Sequence, residues 1–106
     1  MPPPLNILLV DDEVVRAAMV EEALTAEGHQ VICRLQNPTS LNEMVARHEP
    51  DVVIIDMESP DRDTLDSMAL LNRENPRPVV FFADQHDSDI MQAALKSGVS
   101  AYVVDG

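Results

Sequence analysis

Five apolar runs punctuate the chain, and amphipathic stretches fill the intervals between them. The first run, Leu5-Asn6-Ile7-Leu8-Leu9-Val10, ends in Asp11-Asp12-Glu13. The third, Asp51-Val52-Val53-Ile54-Ile55, ends in Asp56. Apolar runs without polar alternation read as strands buried on both faces of a parallel sheet. Strands are therefore predicted at 5–10, 30–35, 52–56, Val79 to Ala83 and Ala101 to Val104. Helices are predicted between them. The first spans 13–27, with Ala17, Val20 and Leu24 at helical spacing and Gly28 as its stop. Ser40 and Glu43 form a capping-box pattern that opens a short helix ending before Pro50. A third helix covers 62–74 and is broken by Asn75-Pro76-Arg77-Pro78. Asp87 caps a fourth, which runs to about Ser97 with Ile90, Met91, Ala94 and Leu95 as its apolar face; Gly98 ends it.

Each crossover is long enough to hold a helix, so the series implies a doubly wound α/β domain, a parallel sheet with helices on both faces. In such sheets, ligands bind beyond the carboxyl ends of the strands. Asp11, Asp12 and Asp56 are thus expected to converge at one edge. Three carboxylates together repel one another unless a cation or proton neutralises them. A divalent metal site, with one carboxylate left to react with phosphate, is the chemistry this suits. The plain alternative for Asp11 and Asp12 is helix N-terminal capping, and for Asp56 capping of the following loop.

Composition narrows the choice. The 106 residues suffice for one small domain with a core, and 45% of them are hydrophobic. A net charge of −12 disfavours nucleic acid and anionic lipid as direct partners of this segment. The only aromatics are Phe81, Phe82 and Tyr102, too few to form a base-stacking platform. No run is long enough to span a bilayer, and Met1-Pro2-Pro3-Pro4 lacks the features of a signal peptide. Residues 1–4 read as a flexible lead-in, and a cytoplasmic location is expected. Cys33 reads as a buried small hydrophobe. His29, His48 and His86 read as solvated surface residues, and Met19, Met44, Met68 and Met91 as core filler.

Two enzyme-like readings fail on residues. A dinucleotide-binding turn needs glycines where Val10-Asp11-Asp12-Glu13-Val14 stands. A haloacid-dehalogenase-type phosphatase needs Asp-x-Asp after the first strand, whereas Asp56-Met57-Glu58 imitates it loosely and follows the third. The domain is not expected to be an enzyme.

The segments Leu8-Leu9-Val10-Asp11-Asp12-Glu13, Pro50-Asp51-Val52-Val53-Ile54-Ile55-Asp56, Pro78-Val79-Val80 and Gly98-Val99-Ser100-Ala101-Tyr102 resemble the receiver domain of bacterial response regulators. The resemblance covers nearly everything after Pro4. It implies a flavodoxin-like fold over residues 5–106, with strand order 2-1-3-4-5. It also implies that Asp56 is the phospho-accepting nucleophile. Mg²⁺ or Mn²⁺ would be held by Asp12, by Asp11 directly or through water, by Asp56 and by the backbone carbonyl of Glu58. A carboxylate attacking phosphorus beside a metal that offsets charge on both groups is sound chemistry.

Two positions depart from that family pattern. Ala83 stands where a Thr or Ser hydroxyl holds the phosphoryl group, and Asp105 stands where a lysine does. Lys96 is the only lysine, and it lies near the C-terminus of a helix, away from the pocket. Asp105 has three readings: metal ligand, solvated residue or helix cap. Tyr102 matches the family's switch aromatic or simply packs in the core.

The segments Ser59-Pro60-Asp61-Arg62-Asp63, Arg77 to Asp84 and Ser97 to Gly106 are similar to NasT-type and other ANTAR-containing antiterminators. That similarity implies a helical ANTAR domain after Gly106 that binds leader RNA. It further implies control of nitrate or nitrite assimilation, and a sensor kinase or nitrate-sensing protein as partner. DNA is not an expected partner. The alternative is a phosphorylation-independent scaffold for dimerisation or docking. The series ends on a strand, so the fifth helix of a receiver is missing, the domain reads as C-terminally truncated, and self-association through the uncovered sheet face is expected.

Overall fold

The computed structural model describes residues 3–57, 62–83, 88–96, 98 and 100–104. The strands are β1 (Asn6–Asp11), β2 (Gln30–Leu35), β3 (Val52–Asp56), β4 (Val79–Ala83) and β5 (Ala101–Val104). The helices are α1 (Val14–Ala26), α2 (Leu41–His48), α3 (Arg62–Glu74) and α4 (Ser88–Lys96). All strand pairs are parallel, and the sheet order is β2-β1-β3-β4-β5. The predicted alternation and strand order are both realised.

The two sheet faces are covered unequally. Side chains alternate along a strand, so Leu8, Val10, Val53, Ile55, Val79 and Phe81 project to one side. There they join Leu41 and Val45 of α2, Met68 and Leu71 of α3 and Ala94 of α4 in one buried cluster. The opposite side receives Ile7, Leu9, Ile54, Val80 and Phe82. Of the described helices, α1 covers that side, packing along β1 and β2. Ile7 and Leu9 beneath it are buried, whereas Ile54, Val80 and Phe82 are half-buried. Val20, Leu24, Ile54, Asp56 and Phe82 line an open, mostly apolar groove of about 150 Å³ there.

Local signals explain most element ends. Gly98 follows α4 at φ +101°, a conformation that side-chain-bearing residues rarely adopt. A Cβ at Gly98 would run into the Asn72 side chain on α3, so glycine permits this approach as well as the turn. Several sequence expectations need correction. Ser40 makes no side-chain cap to α2; a single 3-10 turn, Pro38–Ser40, precedes the helix, and Asn37 caps that turn by accepting the Thr39 N–H at 3.0 Å. Met19 is exposed on α1 rather than in the core, while Met44 and Met91 are half-buried and Met68 is fully buried. His29 is more than a solvated residue: its Nδ1 accepts the Leu5 N–H at 3.1 Å and tethers the chain's entry into β1. His48 is exposed, as expected. Asp87 and His86 lie outside the described residues.

Cys33 on β2 is half-buried rather than buried, and desolvation pushes its thiol pKa up from 9.0. The unfolded thiol therefore ionises first. The thiol's contribution to stability is full below the unfolded pKa and is lost as pH rises through the folded one. Urea midpoints at pH 7 and pH 10 are expected to fall less in Cys33→Ala than in the parent. Equal falls would assign the alkaline loss to other groups.

Candidate functional site

β1 and β3 are adjacent and in register, and their last residues, Asp11 and Asp56, are paired. Residues 7, 9 and 11 share a face with 52, 54 and 56 by strand alternation. Both carboxylates thus project on the side that α1 covers. The apolar runs that make the strands also fix which side these acids occupy. A one-residue register slip would separate them.

The Asp11 side chain is wholly buried, with 0% exposure, while Asp12 in the turn that follows is 48% exposed. Asp56 is mostly buried. Oδ1 of Asp11 accepts the Glu13 N–H at 2.9 Å and so holds the turn into α1. Glu13 itself sits at the N-cap without a side-chain cap bond. The capping alternative for Asp11 is therefore realised in part, alongside its place in the pocket.

The decisive group was not singled out from the sequence. Arg16, in the first turn of α1, lays its guanidinium across the acidic cluster. Its Nε–H donates to both Asp11 oxygens, at 3.2 and 3.0 Å. One terminal nitrogen, Nη2, donates to Asp11 Oδ1 at 2.8 Å, to Asp12 Oδ1 at 2.9 Å and to the Asp56 carbonyl at 3.2 Å. Nε also lies 3.5 Å from Asp56 Oδ2, and Nη1 lies 3.5 Å from Glu13 Oε2. Helical side chains lean toward the N-terminus of their helix, which carries Arg16 back to the strand ends. The Asp11 hydrogen bonds, together with the charges of Asp56, Asp11 and Asp12, raise the Arg16 pKa far above its ordinary value against the opposing effect of desolvation. The available signal was spacing: Asp12 and Arg16 are an i,i+4 pair. An arginine early in an amphipathic helix otherwise reads as a solvated position.

Arg16 bears directly on the expected metal. A divalent ion at Asp11, Asp12 and Asp56 needs oxygens that the guanidinium already engages. Among the described residues, no group of three His, Cys, Asp or Glu side chains is arranged to hold a metal ion. Glu58, whose carbonyl was the further expected ligand, lies outside the described residues, as does Asp105. Ala83 ends β4 opposite Val104, which places a residue without a hydroxyl at the expected strand end. Tyr102 lies in β5 opposite Phe81. Lys96 is the exposed last residue of α4.

An Asp-ending β3 lies beside an Asp-ending β1 on this sheet. The family described as Response regulator receiver domain matches residues 7–104. The chain belongs to that family. As a receiver domain it is a component of response-regulator phosphorelay signalling. It is 27% identical over 101 residues to the transcriptional regulatory protein PdtaR of Mycobacterium tuberculosis (strain ATCC 25618 / H37Rv), covering 95% of this chain and 49% of that protein. It is 31% identical over 102 residues to the protein-glutamate methylesterase/protein-glutamine glutaminase of Bordetella pertussis, covering 93% of this chain and 29% of that protein. The receiver thus spans about half the length of PdtaR and less than a third of the methylesterase. Among solved structures, the receiver domain of the putative response regulator NarL from Mycobacterium tuberculosis superposes with a TM-score of 0.84 at 23% identity, covering 97% of this chain and 85% of that one. The response regulator domain of Thermotoga maritima CheB gives 0.83 at 18%, covering 96% and 78%. These likenesses show a shared fold. No helix among the described residues is long and apolar enough to cross a membrane.

Proposed function

We propose that this receiver is the signal-receiving part of an ANTAR-type transcription antiterminator, with Asp56 as its phospho-acceptor position and only weak phosphoryl uptake. The observation that carries the acceptor role is the register pairing of Asp56 with Asp11 at the carboxyl edge of the sheet. The match to a transcriptional regulatory protein over 95% of the chain supports the output. Under this reading an Asp56 carboxylate oxygen bonds to the phosphorus of a donor. The donor's bond to phosphorus breaks, and its leaving group departs with the electron pair. Upstream stands a sensor kinase or a nitrate-sensing regulatory protein, and leader RNA of nitrate or nitrite assimilation genes is reached through an ANTAR domain.

Uptake is weak because Ala83 supplies no hydroxyl donor and Arg16 is engaged by Asp11 and Asp12. A hydrogen bond to a charged group is worth roughly 1.5–3 kcal/mol, so an acyl phosphate here gains little from the pocket. Incubation with acetyl phosphate, followed by mass spectrometry and backbone NMR, is expected to show substoichiometric labelling at Asp56 and few shifted amides. Stoichiometric, long-lived labelling with widespread shifts would contradict weak coupling. The Arg16 clamp also favours a second reading, a scaffold that docks partners without phosphorylation; an unlabelled Asp56 would select it. Terminator read-through in a leader-RNA reporter, driven by the full-length protein, tests the output itself.

A further inference from the structure

The acidic pocket holds a cation that the receiver resemblance does not assign. We propose that Arg16 is the resident counter-ion of this pocket: its guanidinium occupies the place among Asp11, Asp12 and Asp56 that a divalent ion would take, so that a metal enters only by displacing it. The inference rests on the pocket alone and stands whether or not the output is antitermination.

The geometry is that of a built site. Asp11 is fully buried, and the hydrogen bonds that reach its carboxylate come from the Glu13 N–H and from Arg16. Nη2 of Arg16 joins β1, the turn and β3 at once, through Asp11, Asp12 and the Asp56 carbonyl. A guanidinium is a planar fork that stays charged at all relevant pH values and matches carboxylates with two parallel donors. Lysine, a compact point charge, cannot make these contacts together.

One cation among four acids leaves the cluster negative, so a divalent ion is still attracted to it. Yet its ligands are already engaged, and Asp11 Oδ1 has three donors within 3.2 Å. Metal binding therefore carries the cost of breaking the Arg16 contacts. A guanidinium also lacks the open coordination positions through which a metal bridges carboxylate and phosphate. The resting pocket is charge-balanced in part by its own helix and closed in part to metal.

Mn²⁺ and Mg²⁺ titrations at constant ionic strength, read by calorimetry, test this on the folded chain. Arg16→Gln is expected to bind Mn²⁺ at least about tenfold more tightly than the parent, the ratio that one lost charge-assisted hydrogen bond commands. Adding Asp12→Asn to that variant is expected to abolish the gain, which places the metal in this pocket. Wild-type affinity equal to that of Arg16→Gln would overturn the proposal. A readout on the unmutated protein removes any dependence on the variant's folding. The Arg16 Nε–H resonance is expected to shift and to exchange faster with solvent as Mg²⁺ binds. Saturation of the pocket by Mg²⁺, seen at the Asp12 amide with the Nε–H resonance unmoved, would also overturn it. Neither readout depends on phosphoryl uptake, so a failure here is distinct from a failure of the acceptor role.

Discussion

Replacing Arg16 by leucine is expected to lower the unfolding free energy by about 3 kcal/mol in the absence of divalent metal. The reason is Asp11. Its side chain has no exposure to water, and Arg16 is its charged partner. Breaking a buried ion pair from one side leaves an uncompensated charge, which typically costs roughly 3–5 kcal/mol. Arg16 is itself 26% exposed, so water reaches part of the site and the low end applies. Against a typical total of about 5–15 kcal/mol, such a loss is large. Urea denaturation in a chelating buffer measures it. The double variant Arg16→Leu with Asp11→Asn is expected to regain most of the loss, because the charge has gone and the amide oxygen can still accept the Glu13 N–H. A single-variant loss below about 1 kcal/mol, the size of an exposed surface pair, would mean that the clamp is not held in solution.

The same residue shows how far the sequence was legible. Strand ends rich in Asp, glycine stops and unbroken apolar runs all act locally, and each landed where it was expected. Asp11 and Asp56 came to one edge because a parallel sheet brings strand ends together whatever the side chains do afterwards. Arg16 was missed because its role depends on direction as well as spacing. An i,i+4 pair with Asp12 looks like an ordinary helix-surface ion pair until the fold turns that face of α1 toward a buried carboxylate. The receiver pattern puts the pocket's cation at the position Asp105 holds in this sequence, far along the chain from Arg16. Met19 misled for the opposite reason: a flexible apolar side chain on a helix suits a core, yet it is 65% exposed on the outer side of α1. The capping box at Ser40 was displaced by Pro38, whose missing N–H and fixed φ suit the start of a helical turn, with Asn37 ahead of it as the cap. His29 was passed over because a loop histidine looks solvated, and only the β1–β2 register puts it beside Leu5.

Truncating Phe81 is expected to cost about 3–5 kcal/mol, and truncating its neighbour Phe82 about half as much or less, in the 106-residue chain. The two residues share a strand, a side chain and a local sequence. What differs is the face. Phe81 is fully buried in the cluster closed by α2, α3 and α4, opposite Ile55 on β3 and Tyr102 on β5. Its removal leaves a cavity that three helices and a sheet cannot easily collapse, which adds to the lost transfer free energy. Phe82 faces the open groove with Val20, Leu24, Ile54 and Asp56, where it is half-buried. Water already reaches that side, so less burial is forfeited and no sealed cavity forms. Thermal and urea unfolding of Phe81→Ala and Phe82→Ala supply the comparison. Equal losses would mean that the second face is closed in solution, by a second copy of the chain if the loss at Phe82 grows with protein concentration. Unequal losses in the expected order would establish that the Phe82 side of β4 is open in solution, next to the sheet edge where Asp11, Asp56 and Arg16 meet.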